Sequence, residues 1–345
     1  MEKRAGNRGT SCLGASVLAL ALFGWLASYA VRGEPRLLDR SNRLIDASFW
    51  SQDFGSYFWE NDHSVLTFRP EGKSERAVSV DVFTRTETPR AALSSAIAGG
   101  GTGVRSWRLS PDGRRLLWCD LSNQVPAWTA TELNGTCIKR WKNTSFGFLP
   151  LWLPDSRRWF GAAEGNRNSP FVTGSEFGVY DVVGPSYNLK PTPGPSRWPI
   201  GVTPNNHIVS LQWVAQTASG NGAVEWFEYS LEPKPTAGPH GKAVMPRTAV
   251  GVTEAELSPD GSLIATLVQY SYLSPLEQIL GQYLHVPVTP RQKVGLWIVN
   301  RDRCDATLVG SEEGPAPFGL LWTPDGNRLS FIQNGSLYSV KVPRR

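Results

Sequence analysis

The 345-residue chain holds four His, four Cys and two Met, and none of them falls in a CxxC, HExxH or HxH spacing. That leaves little material for a zinc site or an imidazole-driven reaction centre. No Gly-x-Ser-x-Gly is present, which removes the nucleophile elbow of a serine hydrolase. Gly99-Gly100-Gly101-Thr102-Gly103 has no following Lys-Ser/Thr and opens no helix, so it reads as a blade connection rather than a phosphate loop. Charge of one sign is also scarce. The formal net charge of +5 falls to about +3 once Lys3, Arg4, Arg8 and Glu2 are set aside, too little over so large a surface to argue for nucleic acid. No cofactor is implied by any of these patterns.

What is abundant is punctuation and flat side chains: 34 Gly, 26 Pro and 14 Trp, with 40% hydrophobic residues. Such a chain can bury a large core and favours many short strands over long helices.

One long apolar run exists. From Thr10 to Val31 there is no charge, and at 1.5 Å per residue the stretch nearly matches a bilayer core of about 30 Å. Lys3, Arg4 and Arg8 precede it, an arrangement that sends the remainder across a membrane. Two readings of residues 1–35 follow: a retained signal anchor, or a signal peptide cut after Ser28-Tyr29-Ala30. The run exceeds the usual length of a cleavable core, about 7–15 residues, which favours the anchor. Either way the bulk is expected outside the cytoplasm, on the periplasmic or cell-surface side.

Beyond it a repeat governs the chain. Trp322-Thr323-Pro324-Asp325-Gly326 precedes an aliphatic strand, and the same frame recurs as Leu109-Ser110-Pro111-Asp112-Gly113 and Leu257-Ser258-Pro259-Asp260-Gly261. Weaker copies are Trp152-Leu153-Pro154-Asp155, Val202-Thr203-Pro204-Asn205 and Trp59-Glu60-Asn61-Asp62. Intervals of roughly 43 to 65 residues suit four short strands plus loops, one propeller blade each. In each turn Pro presets φ, Asp bonds nearby backbone and Gly takes the left-handed conformation. Asp62, Asp112, Asp155, Asn205, Asp260 and Asp325, with Gly113, Gly261 and Gly326, are therefore read as structural turn residues, too far apart around a ring for paired-carboxylate chemistry. Trp59, Trp152 and Trp322 share one repeat position and read as packing between blades.

After the last motif the chain stops one strand short of a full blade. Leu37 to Ile45 is expected to supply the missing strand and latch the ring, which also hides edges. The expected fold is thus an all-β, six-bladed propeller of four-stranded blades over residues 36–345.

On these motifs the chain resembles the TolB-type β-propeller, a WD-repeat-like family with a Trp-Ser-Pro-Asp-Gly signature before an aliphatic strand. The resemblance covers about residues 36 to 345. It implies a scaffold that binds proteins, peptides or glycans, and supplies neither a catalytic residue nor a cofactor. The chain departs from the TolB protein in having only the apolar segment, and no α/β domain, ahead of the propeller.

Further features remain. Cys119 and Cys137 are expected on the second and fourth strands of one blade, roughly 9–10 Å apart and beyond disulfide reach, as buried thiols. Cys304 is expected in an exposed turn. Ser271 to Lys293 exceeds what a blade needs, and Pro275 to Leu284 reads as a short amphipathic helix with Leu276, Ile279, Leu280, Tyr283 and Leu284 on its apolar face. It is a candidate for capping the channel, for binding a partner, or for packing on its own blade. Glu232 to Thr248, rich in Pro and Gly, reads as a loose connection. Three functional classes compete: a non-catalytic binding or scaffold module, a lyase- or hydrolase-type enzyme with a site at the channel mouth, and a membrane-tethered ligand sensor. The nine residues before the apolar run are too few for a cytoplasmic signalling domain, which weighs against the sensor.

Overall fold

The computed structural model describes residues 35–45, 57–71, 74–98, 104–120, 127–142, 150–162, 177–189, 198–215, 221–232, 236–246, 248–285 and 287–342. The N-terminal apolar segment, the Gly99–Gly103 connection and the loop Glu164 to Ser175 lie outside them. Among the described residues no helix is long and apolar enough to cross a membrane.

Among the described residues the strands form six antiparallel four-stranded sheets. Blade 1 comprises β2 (Phe58–Trp59), β3 (Ser64–Glu71), β4 (Ser74–Asp81) and β5 (Glu87–Pro89). Blade 2 follows with β6 (Val104–Leu109), β7 (Arg115–Asp120), β8 (Ala127–Glu132) and β9 (Cys137–Lys142), and blade 3 with β10 (Leu151–Trp152), β11 (Arg158–Ala162), β12 (Phe177–Asp181) and β13 (Tyr187–Leu189). Blade 4 holds β14 (Trp198–Val202), β15 (His207–Val214), β16 (Ala223–Ser230) and β17 (Ala237–Val244). Blade 5 holds β18 (Ala249–Leu257), β19 (Leu263–Tyr272), β20 (Arg291–Asn300) and β21 (Asp305–Glu313). Blade 6 orders β22 (Phe318–Trp322), β23 (Arg328–Gln333) and β24 (Ser336–Lys341) against β1 (Arg43–Ile45).

The inner strand of every blade ends in a Pro-Asp turn or its variant, so those turns share one face. The loops between second and third strands, and the connections between blades, lie on the other. Buried side chains fill the spaces between blades: in blades 2 and 3, for example, Trp128, Trp141, Trp159 and Tyr180 form one cluster. Trp159 stacks on Tyr180 at 4.1 Å and meets Trp141 edge-on at 5.2 Å. Such pairs add about 0.5–1.5 kcal/mol beyond the area they bury.

Several details differ from the sequence expectations. Leu37 to Ile45 is not one strand: Arg36 bridges Ser311 of β21, Leu37 is buried beside blades 5 and 6, Arg40–Asn42 is a 3₁₀ turn, and only Arg43–Ile45 pairs with β24. Glu232 to Thr248 is not a loose connection, because it contains the outer strand β17. Its composition misleads because Gly241 leaves room for the Trp226 indole, which a Cβ there would strike at 2.1 Å, and outer strands tolerate Pro and Gly that central ones do not. A helix, α1 (Ala91–Ala98), joins blades 1 and 2 and buries Leu93 and Ile97. Cys119 is buried on β7, but Cys137 on β9 is exposed, as is Cys304.

Candidate functional site: the axial cavity and the two faces

The turn residues organise the motif face. Asp112 Oδ1 accepts from Ser110 Oγ (2.6 Å) and the Arg114 N–H (3.1 Å); Asp260 and Asp325 repeat this with Ser258 and Thr323 at 2.6 Å. Asp155 accepts from the N–H groups of Arg157 and Arg158 at 2.9 Å. Gly113, Gly261 and Gly326 have φ of 67°, 75° and 67°. In blade 3 Ser156 occupies the left-handed position at 54°, and in blade 4 it is Asn206, next to Asn205, at 59°. In blade 1, which lacks the Pro, the cap moves by one residue. Asn61 Oδ1 accepts from His63 and Ser64, whereas Asp62 Oδ1 accepts the Asp325 N–H of blade 6.

Neighbouring turns also grip one another. The Asp112 N–H donates to Ser156 Oγ (3.0 Å), and Lys139 Nζ donates to the carbonyls of Asp181 and Gly184 (both 2.9 Å). Arg301 of blade 5 reaches Glu228 of blade 4, whose other oxygen lies 2.8 Å from His207 Nδ1. Burial pushes the Asp181 carboxyl up, but the Arg157 guanidinium and the Gly184 and Val183 N–H groups outweigh it and hold the pKa at about 2.

Inside this face lies an axial cavity of about 290 Å³, and all six blades line it. The first residue of each motif (Trp59, Leu109, Trp152, Val202, Leu257, Trp322) lines it, and so does the one before: Phe58, Arg108, Leu151, Gly201, Glu256 and Leu321. Two of the six are charged, and they come from blades 2 and 5, opposite one another in a six-membered ring. Arg108 Nη1 lies 3.4 Å from Glu256 Oε1, and the guanidinium sits 5.2 Å from the Phe58 ring centroid. Pro111, Pro154, Pro259 and Pro324 stand at the mouth.

Indoles hold the charged pair in place. Trp152 Nε1 donates to the Arg108 carbonyl (3.1 Å) and Trp322 Nε1 to the Glu256 carbonyl (3.3 Å). Trp59 Nε1 bonds Ser330 Oγ (2.8 Å). Each of the three tryptophans thus ties its blade to the preceding one. One layer deeper, Glu254 accepts the N–H groups of Gly319 (3.0 Å) and Leu320 (2.8 Å), and Tyr57 donates to the Gly319 carbonyl or to Ser330 Oγ. Burial raises the pKa of Glu254 despite those N–H donors, and that of Glu256 to about 7 despite Arg108. Among the described residues no group of three or more His, Cys, Asp or Glu is placed to hold a metal ion.

The predicted helix forms at the opposite end as α2 (Pro275–Tyr283). Ser274 and Glu277 make a reciprocal capping box, and Arg291 pairs with Glu277 at 2.9 Å. Ile279, Tyr283 and Leu284 are exposed and Leu280 is half-buried; the side chain of Leu276 lies outside those described. No α2 residue lines the axial cavity, so the helix does not plug it there.

The sequence reading missed Arg108, Glu254 and Glu256. Their signal was available one and three residues before the Leu of the Leu-Ser-Pro-Asp-Gly motif, where the copies in blades 2 and 5 alone carry charge just ahead of it.

No family model matches the chain. No curated protein matches it either. Solved structures similar to it include TolB from Acinetobacter baumannii, at 15% identity and a TM-score of 0.44, covering 85% of this chain and 65% of that one. An oligogalacturonate lyase from Vibrio parahaemolyticus has 11% identity and a TM-score of 0.46, covering 90% and 96%. Kuenenia stuttgartiensis hydrazine synthase has 13% and 0.43, covering 79% and 71%. Likenesses this distant carry no argument about function, and the six-bladed architecture rests on the strand order itself.

Proposed function

We propose that residues 36–345 form a non-catalytic binding or scaffold module, held outside the cytoplasm by the apolar segment within residues 1–35 and latched where β1 joins blade 6. One observation carries the binding reading. Of nine large hydrophobic residues exposed among those described, seven lie on the face opposite the motif turns. Trp198, Val250 and Phe318 stand at or near the starts of three successive inner strands, Val244 ends β17, and Ile279, Tyr283 and Leu284 belong to the α2 insertion. Scattered surface hydrophobics need no explanation, but a concentration on one face of a rigid frame is the usual mark of an interaction surface. Its apolar character favours a protein or peptide partner over a glycan.

The test compares intact protein with an Ile279→Ser, Tyr283→Ser, Leu284→Ser variant in partner capture from solubilised membranes. Loss of specific partners, with the melting temperature unchanged, supports the assignment; equal capture overturns it. Carbonate washing of membranes tests the anchor, since a cleaved signal would release the protein. The alternative, an enzyme of lyase or hydrolase type acting at the channel mouth, is favoured by the charged groups there. Of these, only Arg108 and Glu256 are within reach of each other, and Glu254 is engaged by backbone N–H groups.

A further inference from the structure

From the unequal bonding of two opposed charges in an otherwise apolar ring, we propose that the axial cavity binds a small organic carboxylate with an apolar body, Arg108 taking the carboxylate and Glu256 sharing a proton with it.

The Arg108–Glu256 pair by itself is a poor explanation for the two charges. An ion pair taken out of water gains little over apolar residues of similar volume, so stability alone does not call for it. Its geometry is also weak: one contact of 3.4 Å, against about 2.7–2.9 Å for a good charge-assisted bond and two parallel bonds for a well-matched Arg–carboxylate pair. Arg108 Nε is buried without a hydrogen-bond partner. A guanidinium offers five donors in a planar fork, and here its side-chain acceptor is Glu256 Oε1 at 3.4 Å.

The neighbouring groups do not meet that need. Glu254 turns to the N–H groups of Gly319 and Leu320, and the Tyr57 hydroxyl bonds the Gly319 carbonyl and Ser330. A ligand entering through the mouth framed by the turn prolines would offer acceptors to the terminal nitrogens of the Arg108 side chain, which keeps 15% exposure. Phe58, Leu151 and Leu321 give the ring an apolar wall, and Trp152 and Trp322 have already spent their indole N–H groups on backbone carbonyls. The cavity therefore selects an apolar body rather than a polyol. Its volume, about 290 Å³, lies at the lower end for ligand sites, which run from roughly 300 Å³ upward.

A bound carboxylate would face Glu256, and two carboxylates cannot both stay ionised at that distance. The titratable groups facing Glu256 are Arg108 across the cavity, Glu254 on its own strand, and Tyr57 from blade 1. Burial already holds its carboxyl near neutrality, at about 7, so proton uptake on binding is cheap. The protonated Glu256 then donates to one ligand oxygen while Arg108 donates to the carboxylate. No bond is made or broken.

The experiment is isothermal titration of the detergent-solubilised full chain with benzoate, phenylacetate and cyclohexanecarboxylate, each to 10 mM. Saturable one-to-one binding of at least one is expected, with benzyl alcohol about tenfold weaker or worse. Affinity should fall by up to about tenfold per pH unit above pH 7, with net proton uptake measured in buffers of different ionisation enthalpy. Arg108→Leu should weaken binding by about 10- to 100-fold, and Glu256→Gln, which keeps the shape and cannot ionise, should bind with the pH dependence removed. Absence of saturable binding to all three, or undiminished binding by a folded Arg108→Leu protein, overturns the proposal. If Arg108→Leu fails to fold, Glu256→Gln decides: an unchanged pH profile overturns it. Partner capture through α2 is a separate readout on the other face, so neither result depends on the other.

Discussion

The motif face and the opposite face of the propeller use their surface residues in contrasting ways. On the motif face the turns bond inward and sideways: Asp112 caps its own turn while its N–H reaches Ser156 in the next blade, and Asp62 serves the turn of blade 6 rather than its own. On the other face, Trp198, Val250, Phe318 and the outer side of α2 remain exposed. One face is committed to holding the ring together. The other presents exposed apolar side chains among the described residues, and substitutions should sort accordingly.

The largest effect is expected where backbone and packing coincide. Gly113 has φ of 67°, and a Cβ there would lie 2.8 Å from the Glu60 carbonyl oxygen of blade 1. Gly113→Val should cost about 2–4 kcal/mol by denaturant unfolding, the left-handed penalty of about 1–2 kcal/mol adding to overpacking. A cost below about 1 kcal/mol would mean the turns do not interlock.

Next comes Asp181→Ala, which removes the acceptor for Arg157, Val183 and Gly184 and should cost about 2 kcal/mol at pH 7. Because the folded pKa lies below the unfolded value near 3.9, this stabilisation is complete above the unfolded value and disappears as pH falls toward 2. Urea titrations of both proteins at pH 7 and pH 3 check it: the difference should shrink at the lower pH.

Between the faces the sign reverses. The folded pKa of Glu256 is raised, so its contribution is fully present below the unfolded value near 4.3 and is lost as pH rises through about 7. Glu256→Gln should flatten a decline in stability between about pH 4 and 7, measured by the same titrations. The smallest effect belongs to the opposite face. The Ile279→Ser, Tyr283→Ser, Leu284→Ser combination should change global stability by no more than about 0.5 kcal/mol, and a larger loss would show that α2 is part of the frame.

The contrast also explains what was legible beforehand. Turn chemistry is local, so Ser110-Pro111-Asp112-Gly113 and its relatives announced the blades and their number, and Pro275 to Leu284 carried its helix in its starting Pro and apolar spacing. Features decided by distant neighbours were hidden. The strand β17 reads as loop because the reason for Gly241 is Trp226 on the adjacent strand. Helix α1, Ala91–Ala98, carries no charged side chain to mark a solvent face, and its docking depends on Leu93 and Ile97 meeting blades 1 and 2. Asn61 replaced Asp62 as the cap because a copy without Pro gives no local register. The opposition of Arg108 and Glu256 needs both the blade count and the place where each inner strand meets the cavity, and neither residue reveals it alone.

The pairing of Arg43–Ile45 with Ser336–Lys341 sets an order on biogenesis. A ribosome that has just made β1 needs on the order of 15 to 60 s to reach its partner at ordinary elongation rates. Through that interval the early strand must wait without its neighbour, exposed to chaperones and to other nascent chains, and the slow long-range contact comes last.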